Sequence, residues 1–561
     1  MTARAGVTVL ALPPSAIADR PVPTLEDLAA TVEPDAVWVL GPDRDPQAFA
    51  RARSVFDAPA VHPPLETGGD GPLSRRLLEA TAPEDGNDDD APLEIALAPG
   101  TEALRADPDA VLRTLEADTV SLVCDDVTTV TRPTALETRL EGAPVLADAL
   151  PTGTVTTLLT GSEPAGYDAL WHLEPGTGAV RCVDHETVGG VEPLGDDCVS
   201  VRVRGAGPTK GYGERGSIAS LTLTADGVTR VDTHDVTDFG LEAVAGIGPK
   251  TADRLADRGV TTRAELLETS IATLADLPGV GRERARTMHQ HARVLETGEP
   301  RRLTDESLPG ADWHEPPLCL DVETDGLSPT ILWQIGVYDP ATDEYRAFVE
   351  REDPSDPAPV LEAFCDWLFG MHPNRALLTW NGWGFDYRHL GSFVAKHVPY
   401  YAEAWESIPK FDLYLWAVKD ENALLPGRTN ELEVVADALG YEGAETGLDG
   451  AATAAAYQRF VRTGAELAWD RHEAYCEDDC RALWHVYERL RDAPLASETM
   501  ASSVDDVDRT DASQSTGDSP AATAEANRGE TTSDGSASHS QGTGRSSTST
   551  EDTEQAGLTD F

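Results

Sequence analysis

Two acids stand two residues apart in the stretch LCLDVETDGLSP, residues 318–329: Asp321 and Glu323. On an extended strand, residues two apart share a face. Two carboxylates side by side repel each other and are costly unless a cation neutralises them. A divalent ion bound through oxygen ligands does this. The alternative is a pair of solvated loop acids, which fits poorly with the flanking Leu318, Leu320 and Val322. Next comes NGWGFDYRHLGSFV, residues 381–394. Asn381, Gly382 and Gly384 make a turn into a helix. Asp386 falls in its first turn, where the helix dipole favours a carboxylate, and is placed to reach the first strand. Finally, AWDRHEAYCEDDCRALWHVYERL (468–490) has helical period, with Leu483, Val486, Tyr487 and Leu490 on one face. Tyr475 and Asp479 are four apart and share a face. Glu477 and Asp478 point elsewhere and read as a solvated acidic face. These residues alone describe a metal-dependent phosphodiesterase.

The elements that must position them alternate strand and helix over residues 312–494. A strand at Leu318–Val322 is followed by strand candidates at 331–340 and 344–350, an antiparallel meander. A helix (Val360–Phe369) and a strand (Ala376–Trp380) follow. The order D-x-E, N-x-x-x-F-D, Y-x-x-x-D resembles the three exonuclease motifs of the DEDD superfamily, tyrosine variant. PKFDLYLW (409–416) and ELEVVADALGYE (431–442) resemble segments of YprB-type ribonuclease H-like domains. The resemblance runs from Pro316 to Leu490. It implies that Asp321, Glu323, Asp386 and Asp479 bind two Mg2+ or Mn2+ ions, and that Tyr475 orients the attacking water. YprB-type sequences often carry His at the position of Tyr475. It also implies 3′–5′ exonuclease action, with endonuclease action open.

Residues 240–296 read as helices punctuated by Gly246-Ile247-Gly248 and Gly279-Val280-Gly281, an internal repeat. Glycines bring backbone amides close to a ligand, and a following helix N-terminus attracts anions. The segment resembles a tandem helix-hairpin-helix, which grips the DNA backbone without reading bases. Gly246, Gly248, Lys250, Gly279, Gly281, Arg282 and Arg284 are the residues expected at phosphate. Residues 241–295 hold eight Lys/Arg against seven Asp/Glu, nearly neutral in a chain of net charge −54. The alternative is a structural or protein-binding pair of hairpins.

The chain has 44 Lys+Arg against 98 Asp+Glu, and lysine occurs only at positions 210, 250, 396, 410 and 419. Such a composition resembles proteins of salt-in halophiles such as haloarchaea, where carboxylates keep the surface hydrated. At molar salt the screening length falls to about 3 Å, so net acidity no longer excludes nucleic acid. No run of about 18 apolar residues exists to span a membrane. The N-terminal MTARAGVTVLALPPS reads as a first strand rather than a signal peptide, and a cytoplasmic protein is expected. The seven cysteines are scattered and form no C-x-x-C pair, so neither zinc nor a disulfide framework is indicated. Cys476 and Cys480 read as small helix residues.

Residues 1–236 mix strands and helices as an N-terminal α/β domain. They weakly resemble a calcineurin-like phosphoesterase, with LGPDRD (40–45), APGTEA (98–103) and LLTGSEPAG (158–166) where metal motifs would fall. The histidine ligands are missing, which implies a catalytically dead copy; Asp43, Asp45 and Glu102 read as surface acids. Residues 495–554 are low-complexity and read as a disordered, acidic linker. The closing Gln555-Ala556-Gly557-Leu558-Thr559-Asp560-Phe561 resembles the peptide that binds PCNA-type sliding clamps, with Gln555, Leu558 and Phe561 as its contacts; the second aromatic of eukaryotic versions is missing. The expected protein is therefore multidomain: an α/β N-terminal domain, a small all-α helix-hairpin-helix module, an α/β ribonuclease H-like nuclease domain and a tail. The expected function is a DNA exonuclease of repair or replication. A DNA-docking scaffold with an inactive nuclease fold and an RNA-processing nuclease are the alternatives.

Overall fold

The structure is a computed structural model. It describes residues 6–496 apart from 19, 42–44, 63–72, 79–92, 116–118, 133–136, 186–191, 209–216, 225–226, 352, 354–355, 445, 447 and 465. The linker and the clamp-type peptide, with Gln555, Leu558 and Phe561, lie outside the described residues, as does Asp43.

Strand alternation organises the N-terminal region. A five-stranded sheet has the order Gly227–Asp235, Ser217–Thr224, Val7–Leu12, Ala36–Val39, Ala60–Val61. A seven-stranded sheet has the order Val180–His185, Asp168–Leu173, Val199–Gly207, Val155–Pro164, Thr119–Cys124, Leu93–Ala98, Ser74–Leu78. Val7, Val9 and Ala11 turn one way and meet Leu97, Val123, Leu159 and Ala206 of the larger sheet. Leu10 and Leu12 turn the other way, under helices Val22–Val32 and Pro46–Val55. The period of two thus gives each strand two apolar faces. The far face of the larger sheet is covered by Leu104, Val111 and Leu146. The result is four layers: helices, sheet, sheet, helices.

Helices Pro249–Ala256, Arg263–Glu268, Ile271–Ala275 and Arg282–Thr297 pack around Leu255, Leu266, Leu274 and Met288. Beyond them, a five-stranded sheet has the order Glu344–Val349, Leu332–Asp339, Leu318–Thr324, Leu377–Thr379, Lys410–Asp412. Its first three strands are an antiparallel meander, and the last two join in parallel. Leu318, Leu320 and Val322 face helices Ala358–Met371 and Asp386–His397. Cys319 faces helices Leu432–Ala438 and Trp469–Arg491. Asp321 and Glu323 therefore turn toward the long C-terminal helix.

All of this belongs to one compact unit ending at Ala496. Asp27 ties its three parts together. Its carboxylate accepts from Arg263 of the helical segment at 2.7 and 2.8 Å, from Arg428 beyond it at 2.8 and 3.1 Å, and from the Gly240 amide at 2.7 Å. His291 adds a second tie. Its Nδ1 accepts from the Ala245 amide at 2.7 Å, so Nε2 carries the proton, 3.3 Å from the Leu425 carbonyl oxygen. Burial pushes its pKa down to about 4, which keeps the ring neutral.

Candidate active site

Strand, turn and helix bring four acids together. Asp321 and Glu323 lie on one face of Leu318–Thr324, and their carboxylate oxygens lie within 4.8 Å of each other and of Cys476 Sγ. Asp386 starts helix Asp386–His397, and Asp479 sits midway along helix Trp469–Arg491. Glu323 and Asp386 are buried, and Asp321 and Asp479 half-buried. Burial raises the pKa of all four. The negative charge of Asp321 raises those of Glu323, Asp386 and Asp479 further. Asp321 itself stands at about 6, despite a thiol hydrogen bond from Cys476 and the Val322 amide, which act the other way. Tyr475 also lies against these acids. Burial, then Asp479, Glu323 and Asp321, hold its hydroxyl well above the usual range, so it stays a hydrogen-bond donor, with Asp479 as acceptor.

These residues fit a pair of hard divalent cations. Burial holds the nearby Cys476 thiol protonated, and the remaining donors are carboxylate oxygens, the type that Mg2+ and Mn2+ prefer. Asp321 Oδ2 is buried with no hydrogen-bond partner. Such an orphan is expensive in an ion-free fold.

Several supports of this arrangement carried no clear signal in the sequence. Gly336 lies opposite Asp321 on the next strand. A Cβ there would overlap Cys476 Sγ and stand 2.7 Å from the Tyr345 hydroxyl. The glycine lets the long helix close on the sheet and carries Asp479 to Asp321. Cys476 is not a filler residue, since its thiol faces the acids. Asp412 holds the turn before Asp386 by accepting from the amides of Asn381 (3.0 Å), Trp383 (3.1 Å) and Leu415 (3.0 Å). Asn381 has φ +62°, a left-handed position that Asn tolerates. Asp478 differs from the solvated acid expected: it accepts from the Tyr441 hydroxyl and the Ala444 amide, both at 2.9 Å. Glu477 pairs with Arg481 one turn on.

The glycine pairs of the helical segment divide by role. Gly246 and Gly279 have φ +85° and +80°, and make the turns. Gly248 and Gly281 are the N-caps of helices Pro249–Ala256 and Arg282–Thr297, with open space where a Cβ would stand. Lys250 and Arg282 are exposed beside them. Arg284, expected at phosphate, is engaged inside the module instead. Its guanidinium donates to the carbonyl oxygens of Gly246 (3.0 and 2.6 Å) and Gly279 (3.2 Å). Arg254 returns the contact, donating to the Pro278 carbonyl oxygen at 2.7 Å. Each turn is thus held by an arginine.

Residues 318–491 match the RNase H superfamily. This part of the chain is a ribonuclease H superfamily domain. Residues 240–293 match the SAM-like helix-hairpin-helix tandem, and form that module. A comparison with curated proteins found no match. The ribonuclease H domain holds all five expected active-site residues, and the pairing of the two folds points to a nuclease acting on nucleic acid.

Elsewhere, Asp45 and Glu102 of the N-terminal region have local partners. Asp45 caps helix Pro46–Val55 through the Gln47 and Ala48 amides. Glu102 makes an exposed pair with Arg105 at 3.1 Å. The three segments expected to carry phosphoesterase motifs converge on Asp125 and Asp126, which the sequence reading did not select. Asp125 accepts from the amides of Gly41 (2.9 Å) and Gly161 (2.6 Å), and Asp126 from Thr101 N and Oγ1. Among the described residues, no helix is long and apolar enough to cross a membrane.

Proposed function

We propose that the chain is a metal-dependent DNA nuclease, a YprB-like DEDD enzyme of the tyrosine variant, acting as a 3′–5′ exonuclease in repair or replication. The observation that carries this reading is the meeting of Asp321, Glu323, Asp386 and Asp479 inside a ribonuclease H fold. These four carboxylates would hold two Mg2+ or Mn2+ ions. Such ions, when bound, supply a water of lowered pKa and neutralise charge on the leaving oxygen. Tyr475, protonated and hydrogen-bonded to Asp479, orients the attacking water. The helix-hairpin-helix holds the DNA backbone through Gly246, Gly248, Lys250, Gly279, Gly281 and Arg282. The N-terminal α/β region, residues 1–236, is read as a degenerate phosphoesterase-like domain.

The test is degradation of end-labelled single-stranded DNA, duplex DNA and RNA with Mg2+ or Mn2+ in molar KCl, the condition the acidic composition suits. Stepwise loss of nucleotides from the 3′ end of DNA is expected. Cleavage of RNA alone would assign the chain to RNA processing, and no cleavage with intact DNA binding to a scaffold.

Two variants probe the proposed grip. Gly248→Val with Gly281→Val places side chains in open space, so folding is retained. Duplex affinity falls at least ~10-fold, the scale of a lost hydrogen bond to a charged group. Hydrolysis of a very short oligonucleotide survives. Unchanged affinity in a fluorescence titration would mean the module is structural.

The last seven residues are proposed to bind a PCNA-type sliding clamp. Deleting 555–561 abolishes clamp binding in a calorimetric titration and leaves cleavage of free DNA unchanged. Equal clamp affinity with and without the peptide would end this assignment.

A further inference from the structure

A second cluster of metal-ligating side chains lies far from this chemistry in sequence, on the edge of the seven-stranded sheet. Strand Asp168–Leu173 pairs with edge strand Val180–His185 on one side and with Val199–Gly207 on the other. The register sets Cys182, His172 and Ser200 in one row across the three strands. Asp184 is two residues beyond Cys182 and so shares its face. The His172, Cys182 and Asp184 ligand atoms all lie within 4.8 Å of one another.

The histidine makes this more than a chance cluster. His172 is 2% exposed. Its Nδ1 lies 2.8 Å from Ser200 Oγ, which also accepts from the Leu194 amide. Its Nε2 faces the edge strand, where Asp184 Oδ2 stands 3.7 Å away. That gap is too long for a hydrogen bond. An imidazole on a buried side chain, with its ligand nitrogen within 4.8 Å of both a thiol sulfur and a carboxylate oxygen, has the form of a ligand set drawn around a point.

We propose that His172 Nε2, Cys182 Sγ and Asp184 bind one transition-metal ion of the zinc class. Imidazole, thiolate and carboxylate are the three ligand types of zinc, and a thiolate selects against Mg2+ and Mn2+. Metal at Nε2 requires the proton on Nδ1, where Ser200 Oγ accepts it and fixes the ring. On binding, Cys182 gives up its thiol proton to solvent, and the fourth position stays open because Cys182 is half-buried and Asp184 exposed. The ion would pin the edge strand to its neighbour.

The test uses the full chain, stripped of metal and titrated with Co2+, then Zn2+. Thiolate-to-cobalt charge-transfer absorption reports a cysteine ligand, and displacement by Zn2+ gives the affinity. Because Cys476 also stands beside carboxylates, the Asp321→Asn variant controls for the nuclease cluster. We expect about one equivalent with the charge-transfer band, lost in Cys182→Ser and kept in Asp321→Asn. Ser200→Ala should weaken Zn2+ binding about 10–100-fold, as loss of a supporting hydrogen bond does. Cleavage of DNA in Mg2+ serves as the folding check for Cys182→Ser. The proposal is overturned if the band survives in Cys182→Ser, if it is lost in Asp321→Asn, or if the stripped chain takes up no ion that Zn2+ displaces.

Discussion

Asp321→Asn and Asp386→Asn each lower the rate of DNA cleavage by ~10³-fold or more, beyond the loss of a single transition-state hydrogen bond, while DNA affinity stays within about twofold by the same titration. Each removes a charge from the set proposed to hold both ions, and neither contributes an apolar surface to the core. The same substitution has an opposite signature in stability, which separates a site role from a structural one. Burial holds the Asp321 pKa at about 6 in the fold, above about 4 for a free carboxyl. The native state therefore binds the proton more tightly than the unfolded chain. Stability present below pH ~4 is lost as the pH rises through ~6. Without divalent ions at neutral pH, Asp321→Asn should unfold at a higher denaturant concentration than the parent chain, and the gap should close as the pH falls below ~4. Mg2+ should stabilise the parent chain and not the variant. Full activity in both variants would remove the proposed site. Tyr475→Phe deletes only a hydroxyl and should be milder, with kcat reduced and KM kept.

The strand and helix motifs were legible because their spacing is local. Two acids at i and i+2 declare a shared strand face, and Tyr475 and Asp479 declare a shared helix face, whatever the rest of the chain does. Gly336 and Asp412 were not legible for the opposite reason. Gly336 matters because Cys476, well over a hundred residues later, packs on it. Asp412 matters because of amides at 381 and 383. Arg284 shows the same dependence on distant residues, through its bonds to the Gly246 carbonyl oxygen. A basic residue after a Gly-x-Gly turn reads as a phosphate ligand until the other hairpin is placed against it. The N-terminal stretch that reads as a first strand is one, at Val7–Leu12, because its apolar run is plain. The convergence on Asp125 depended on sheet order that no single segment encodes.

Asp27→Ala is expected to lower global stability by about 3 kcal/mol, the lower end for breaking a buried ion pair. The choice of the lower end reflects side chains that are still 13–25% exposed. Burial pushes the Asp27 pKa up, but hydrogen bonds from Arg263, Arg428 and the Gly240 amide outweigh it and hold the carboxyl well below its usual range. Such a group contributes stability above its unfolded pKa, about 4, and loses it as the pH falls toward the folded value. The difference between the parent chain and Asp27→Ala should thus be full at neutral pH and shrink below pH ~4. The midpoint of denaturant unfolding at several pH values measures it. An equal midpoint at pH 7 would show that the joint is held by apolar contacts alone.

The crossed arginines of the helix-hairpin-helix have a metrical consequence. Arg284 and Arg254 reach from one hairpin to the turn of the other, so the distance between the two turns is set inside the protein before any DNA arrives. For a duplex gripped at both turns, that distance acts as a fixed gauge laid along the sugar-phosphate rail. A rail whose phosphates fall at the matching interval seats both ends at once.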